Sequence, residues 1–401
     1  QPSPLSTHNL SGGLFFQTPE QRAQLARQRF FDESERPTGL VNEGVLQSWG
    51  RCRSLGHQPA RHVALDPISG SACHAVLQRN RDLLLAASEE LAQLSASLVG
   101  TGCRVLLTNA AGVVVHSTPG DGQDTHPVLD VAARVGVNLA EERIGTTAPG
   151  IVVRTGMAST VMAYEHFYEQ FQGLHCAAAP IYDVNHRLAG VLDVSTESRP
   201  FGFDAGSVVG LFATSIENRL LQAQSQEHVV LQFQTSPALL GTPLQAMAGV
   251  NGEGQVVWIN GVGRRLLGRA RPDAAPVQEL FGHALSRLLD LGQRTQPSTL
   301  RLPNGLGIWM RATVQRRDGL DMRRGVVQTP QAATTAPAAP PRAEPGPEPP
   351  RASLADAHRQ LIDTTLQRNG GNVARTAREL GVSRGLLYRH LQKKGPGEPR
   401  A

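Results

Sequence analysis

Two groups of residues in this 401-residue sequence have types and spacings suited to chemistry. The first is C-terminal, where Arg384, Tyr388, Arg389 and Lys393 follow a turn at Gly381. Guanidinium and ammonium groups on one helix suit base edges and phosphates, with Lys393 placed as a phosphate contact. From Arg351 onward ten Arg and Lys stand against four Asp and Glu, a net of +6; the whole chain is +5, so the preceding 350 residues sum to −1. A neutral body with a basic end is the charge pattern of a nucleic-acid-binding protein. The second group is scattered through the middle of the chain. Gly145, Thr146 and Thr147 are predicted to open a helix whose free N–H groups receive an anion or a carbonyl. Glu165, His166 and Phe167 are predicted to begin another helix, and His175 and Cys176 to lead into a cavity-lining strand. For each of these, helix capping or core packing is the competing reading.

Several chemistries lack their residues. A phosphate-binding loop GxxxxGK[ST] needs a lysine that reaches the phosphates, and the lysines here are Lys393 and Lys394, both beyond the last helix. Neither HExxH nor GxGxxG occurs, and no enzyme activity, cofactor or metal site is expected. Cys52, Cys73, Cys103 and Cys176 share no CxxC spacing, which predicts four reduced thiols rather than a zinc site or a disulfide framework. No run approaches the ~20 apolar residues of a membrane span, and the N-terminus lacks a basic start followed by an apolar stretch. A cytoplasmic location without membrane contact is the expectation.

The elements that must position these groups follow from periodicity. Residues 1–100 read as a helical lead-in, with Leu77, Leu84, Leu91, Leu94 and Leu98 at helical spacing. Within 101–232, CRVLLTN–AAG–VVVHST reads as a hairpin at Gly112 and CAAAPIYD–VNHR–LAGVLDVST as another at Asn185; a helix from Phe203 to about Gln232 closes the region. Residues 238–326 repeat the theme: a hairpin MAGV–NGEG–QVVWIN, helices GVGRRLLG and LFGHALSRLLDLG, then strands in TLRLPNGLGIWMRATVQRR. Hairpins with intervening helices predict α+β domains on antiparallel sheets. Between Pro330 and Pro350, eight of 21 residues are proline, so 328–351 reads as a disordered Pro/Ala linker.

The last module, 352–395, reads as three helices. Leu354, Leu361, Ile362 and Leu366 share a face of the first, which Gly370 and Gly371 terminate. Asn372 caps a second with Ala374, Ala377 and Leu380 inward. Ser383 caps a third, where Leu387 and Leu391 face inward and Arg384, Tyr388 and Arg389 face water. That is helix-turn-helix geometry. A helical hairpin with a solvated basic face is the bland alternative.

GNVARTARELGVSRGLLYRHLQ resembles the Fis-type helix-turn-helix of bacterial enhancer-binding activators. The resemblance implies that Ser383, Arg384, Leu386, Tyr388 and Arg389 face DNA and that the first helix aids dimerisation. VLQSWGRC, LLTNAAGVVV, ERIGTTAPGIVVRTG, EHFYEQFQGLHCAAAPIYD and LAGVLDVS, in that order, look like the N-terminal half of the acetoin-catabolism regulator family. There a helical lead-in precedes a GAF domain, which implies a small-molecule sensor at 101–232; 238–326 is similar to a reduced PAS domain. That family normally carries an ATPase between sensor and helix-turn-helix, where this chain has its proline linker.

Taken together, the expectation is a multidomain α+β protein: a GAF-like antiparallel sheet, a smaller PAS-like domain and a Fis-type helix-turn-helix. It is expected to be a homodimeric, sigma-54-activator-like regulator without ATPase activity, binding a double-stranded operator and a small effector. RNA polymerase or a related regulator is an expected partner. Thr146, Thr147, His166, Phe167 and Cys176 are the candidate effector contacts. The rival is a DNA-architectural protein whose GAF/PAS region only oligomerises.

Overall fold

The computed structural model describes residues 18–120, 126–225, 228–268, 274–292 and 297–314, together with 365, 368–369 and 375–377. The chain forms two units, 1–327 and 328–401.

The lead-in begins with α1 (Pro19–Arg27). Thr18 caps it, Gln21 returns the bond to the Thr18 backbone, and Pro19 spends no useful N–H in the first turn. A π turn over Gln28–Asp32 follows, then α2 (Glu43–Ser54), capped by Asn42. α2 buries Val45, Leu46, Ser48, Trp49 and Cys52, a stripe at helical spacing. Residues 55–69 cross the sensor as an extended strap. The helical run expected after residue 70 divides at Asn80 into α3 (Gly70–Arg79) and α4 (Arg81–Ser97).

The first sheet consists of β1 (Arg104–Asn109), β2 (Val114–Ser117), β3 (Ser159–Met162), β4 (Leu174–Tyr182) and β5 (Leu188–Glu197), in the antiparallel order β2-β1-β5-β4-β3. Both hairpins expected from the sequence are present. The first turns at Gly112, where φ is +80° and a Cβ would stand 2.9 Å from the Ala140 nitrogen. Between β2 and β3 lie α5 (Leu129–Ala132), α6 (Glu141–Ile144) and α7 (Ala148–Thr155). α8 (Ala205–Gln224) returns across the sheet. One face of the sheet packs on α3, α4 and α8 through residues such as Leu107, Leu192, Val194 and Ile216. The other packs on α2 and α7 through Trp49, Leu106, Ile151, Phe167 and Cys176. The sheet is therefore enclosed on both sides.

The stretch expected as one helix to about Gln232 is not one. α8 stops at Gln224, and Val229–Gln234 is a strand, β6. Val229, Leu231 and Phe233 face one core and Val230 faces another, a period of two that overrides any helical continuation. β6 sits inside the second sheet, with β7 (Ala246–Val250), β8 (Gln255–Ile259), β9 (Ala275–Pro276), β10 (Ser298–Arg301) and β11 (Gly307–Val314), in the order β10-β11-β6-β7-β8-β9. Its helices are α9 (Gly261–Leu267), α10 (Val277–Phe281) and α11 (Leu285–Gly292). α10 and α11, expected as one helix, are separated at Gly282, whose φ of +73° ends the first. α8 joins the sheet through Asn218, whose Oδ1 accepts from Asn260 Nδ2 at 2.8 Å.

In the C-terminal unit Thr365, Arg368 and Arg375–Ala377 are helical, and Ala377, expected to face inward, is buried. The linker 328–351 and the expected DNA-facing residues Ser383, Arg384, Leu386, Tyr388, Arg389 and Lys393 lie outside the described residues. Among the described residues no helix is long and apolar enough to cross a membrane.

Candidate functional site

The alternation of β5 builds the site. Leu192 and Val194 enter the core under α4 and α8, so Val191, Asp193, Ser195 and Glu197 face the opposite side, where α2 and α7 cover the sheet. On β4, Cys176 stands opposite Ser195, and Ala178 opposite Asp193. Ser195 Oγ donates to Asp193 Oδ2 at 2.7 Å, while Asp193 Oδ1 has no hydrogen-bond partner among the described residues. Asp193 is fully buried. Burial pushes its carboxyl up to about 7, against the opposing effect of the Ser195 hydroxyl.

Cys176 lies above this pair. Burial pushes its thiol far up, so it is a neutral, unreactive group. His166 Nε2 is 3.5 Å from its sulfur, and His166 Nδ1 is 3.0 Å from the Ala163 carbonyl. Enclosure drives the imidazole down to about 4, against the Ala163 contact, and holds it neutral. Glu165 next to it is raised by burial to about 7, although the Met162 N–H donates to it at 2.8 Å.

Glu165–Phe167 begin no helix. A 3-10 turn over Ala163–Glu165 ends there, and His166 is extended. The loop starts from Ala163 at φ +44°, a conformation unusual for a residue with a Cβ. The lead-in grips the segment after Ala163 residue by residue. Arg27 donates to the carbonyls of Tyr164 (3.3 Å), His166 and Phe167 (3.0 Å), and Trp49 Nε1 donates to Glu165 O at 2.8 Å. The Tyr168 hydroxyl meets His57 Nδ1 at 2.7 Å. The Glu169 N–H donates to Pro59 O at 3.0 Å, and Gln170 pairs with the Val63 backbone in both directions. Seven consecutive residues, 164–170, thus bond to residues 27–63. The Arg27 guanidinium also lies over the Phe31 and Trp49 rings.

The remaining expected contacts fall around this centre. Thr147 is the N-cap of α7, its Oγ1 accepting from Gly150 N at 3.1 Å. Thr146 Oγ1 shares a 2.7 Å hydrogen bond with Ser48 Oγ and lies 3.7 Å from Cys52 Sγ on α2. Phe167 is edge-on to Phe31 and Tyr168. His166 and Cys176 are brought together; Thr146, Thr147 and Phe167 also pack between sheet and lead-in, engaged by protein groups. His175 lies on β4 with Nδ1 unpartnered among the described residues. All four cysteines are free, and among the described residues no cluster of His, Cys, Asp and Glu is arranged to hold a metal.

Sequence reasoning missed Asp193, Ser195 and Arg27. The signal for the first two was Val191-x-Asp193-x-Ser195-x-Glu197, which reads as a half-exposed strand until something covers it. Glu197 shows the same reversal: it is buried and accepts from the Val128 and Leu129 N–H groups.

Comparison with known proteins agrees with this layout. Residues 18–214 match the family model "MimR, N-terminal domain", which takes in the lead-in and the first sheet as one domain. Residues 353–393 match "Bacterial regulatory protein, Fis family". The acetoin catabolism regulatory protein of Cupriavidus necator is 27% identical over 276 residues, 66% of this chain and 41% of that protein. The propane 2-monooxygenase operon transcriptional activator MimR of Mycolicibacterium smegmatis is 28% identical over 295 residues, 71% of this chain and 46% of that protein. The chain therefore spans less than half the length of these curated relatives. Among solved structures, the Escherichia coli DhaR(N)–DhaL complex covers 68% of this chain and 99% of its own at 15% identity and a TM-score of 0.43. The chain is a regulator of the acetoin-catabolism and MimR type, with a GAF-like sensor domain at one end and a Fis-type helix-turn-helix at the other.

Proposed function

We propose that the protein is a sequence-specific DNA-binding transcription regulator of a catabolic operon, governed by a small-molecule effector bound in the N-terminal domain. The observation that carries the reading is the tandem match of 18–214 and 353–393 to a regulator sensor family and to a Fis-type DNA-binding family. The enclosed polar cluster supports the sensor half, with His166, Cys176, Thr146, Thr147 and Phe167 as effector-site residues. Ser383, Arg384, Leu386, Tyr388 and Arg389 face DNA and Lys393 a phosphate.

The functional unit is a cytoplasmic homodimer on a two-fold operator, because one short recognition helix reads too few base pairs to select a site. Leu354, Leu361 and Ile362 supply part of the contact. The protein is no enzyme and hydrolyses no ATP: its lysines cannot furnish a phosphate loop. It acts by repressing, by recruiting RNA polymerase, or through a related regulator. Mapping bound genomic sites in cells, then repeating the map with candidate catabolites added, tests the reading. A few strong sites whose occupancy changes with one compound support it. Uniform binding to unrelated DNA would instead favour an architectural protein whose N-terminal domains only oligomerise.

A further inference from the structure

A fully enclosed carboxyl oxygen with no hydrogen-bond donor is an unusual thing to fold around. Leaving a buried acceptor unsatisfied costs about 1–3 kcal/mol, more when it is charged. Asp193 Oδ1 is such an atom among the described residues. The neighbouring groups do not relieve it: Ser195 spends its proton on Oδ2, and His166 Nδ1 and Nε2 are at the Ala163 carbonyl and the Cys176 sulfur. The residues facing Asp193 across its two ladders are Ala178 and Leu106, one small and both apolar. The roof over this floor is the 163–171 segment, which begins at strained Ala163 and is held from outside by the lead-in.

These observations define a recognition site rather than a reactive one. It has one open acceptor, small neighbours in Ala178 and Cys176, otherwise apolar walls, and a removable roof. We propose that Asp193 is the polar anchor of the effector site, and that the effector is a small uncharged molecule which donates one O–H or N–H to Asp193 Oδ1. The inference rests on the sensor reading above and deepens it. A ligand carboxylate is excluded by repulsion from Asp193 in a site closed to water. An otherwise similar ligand with only a carbonyl leaves Oδ1 as it was and is rejected for that reason. Bulk is limited because entry displaces the roof rather than filling an open cleft.

Calorimetric titration of the purified full chain at pH 8 with 2-butanol, butanone and butyrate tests this. The three share a four-carbon skeleton and present a donor, an acceptor alone and a charge. 2-Butanol is expected to bind at least ~10-fold more tightly than either of the others, as a site built for a hydroxyl should. Asp193→Leu replaces an unpaired buried carboxyl with an apolar side chain and is expected to fold, with unchanged circular dichroism, and to lose the preference. Asp193→Asn keeps an acceptor oxygen in place and is expected to retain a weakened preference, which carries the test should the leucine variant not fold. Equal or tighter binding of butanone or butyrate overturns the assignment. So does an undiminished preference in Asp193→Leu, or a failure of 2-butanol to bind, which would mean that the site holds only water. A donor-free or charged compound that still alters operator occupancy sinks this ligand class and leaves the sensor reading intact; no small molecule altering occupancy sinks the sensor reading itself.

Discussion

The indole nitrogen of Trp49 donates to the carbonyl of Glu165 at 2.8 Å, which ties the lead-in helix to the roof of the enclosed cluster. Arg27 adds three carbonyls on the same segment. Arg27→Ala leaves those carbonyls without their charged donor and should destabilise the domain by about 2 kcal/mol. The loss should be local. Amide hydrogen exchange should accelerate across 164–170 and stay slow in β4 and β5. Unchanged exchange in the roof would show that the lead-in does not hold it.

Arg51 and Glu141 form a second tie between lead-in and sensor, a bidentate pair with both N···O distances at 2.7 Å. Glu141 is almost wholly buried there. Arg51→Met strands that carboxylate and should cost about 3 kcal/mol, whereas changing both residues to apolar ones should cost far less. Denaturant midpoints of the single and double variants decide this; equal losses would argue against a buried, coupled pair.

Stability should fall as the pH rises through the acid-to-neutral range. Burial raises Asp193 from the ordinary 3.8 to about 7, so between those values the unfolded chain gives up a proton that the fold retains. The fold therefore binds more protons than the unfolded state, and its stability declines with pH across that window and levels off above about 7. Glu165, raised to about 7 by the same cause, adds to the slope. Asp193→Asn removes one group from the balance. Its unfolding midpoint should vary less between pH 4.5 and 7.5 than that of the wild-type chain, scanning a range set by those two values. An identical profile in both would contradict a proton held at Asp193.

Gly190 positions β5 for the site. A Cβ there would meet the Thr108 carbonyl oxygen at 2.4 Å, backbone that cannot step aside. Gly190→Ala should cost about 1–3 kcal/mol as overpacking and should disturb the register that sets Asp193 beside Ala178. Circular dichroism melting checks the first part; a neutral substitution would mean that β1 and β5 approach each other less closely than this distance requires.

Much of the fold was legible because hairpins announce themselves locally. Gly112, the 183–186 turn and NGEG each stand between runs that alternate or stay apolar, and the structure places strands on both sides of each. Helix ends were harder. The run after Phe203 keeps enough polar and apolar mixture to read on as a helix, until Val229, Leu231 and Phe233 find a sheet core that only the tertiary fold provides. At the site, His166 and Cys176 were visible as unusual residue types. Asp193 and Ser195 were not, because a polar residue at every second position signals a watered face. The covering helices belong to the lead-in, some 140 residues earlier, and no local pattern in β5 foretells them. The DNA-facing residues rest on sequence motif alone.

Operator binding measures the central claim most directly. Fluorescence anisotropy should be recorded with the full chain on a duplex from a mapped genomic site and on a scrambled duplex, across a salt series. The specific site is expected to be preferred by ~10³-fold or more. Arg384→Ala should lose about 1–3 kcal/mol on the specific site and little on the scrambled one. Lys393→Ala should weaken both alike and flatten the salt dependence. Equal affinity for the two duplexes, unaffected by Arg384→Ala, would contradict a sequence-specific regulator.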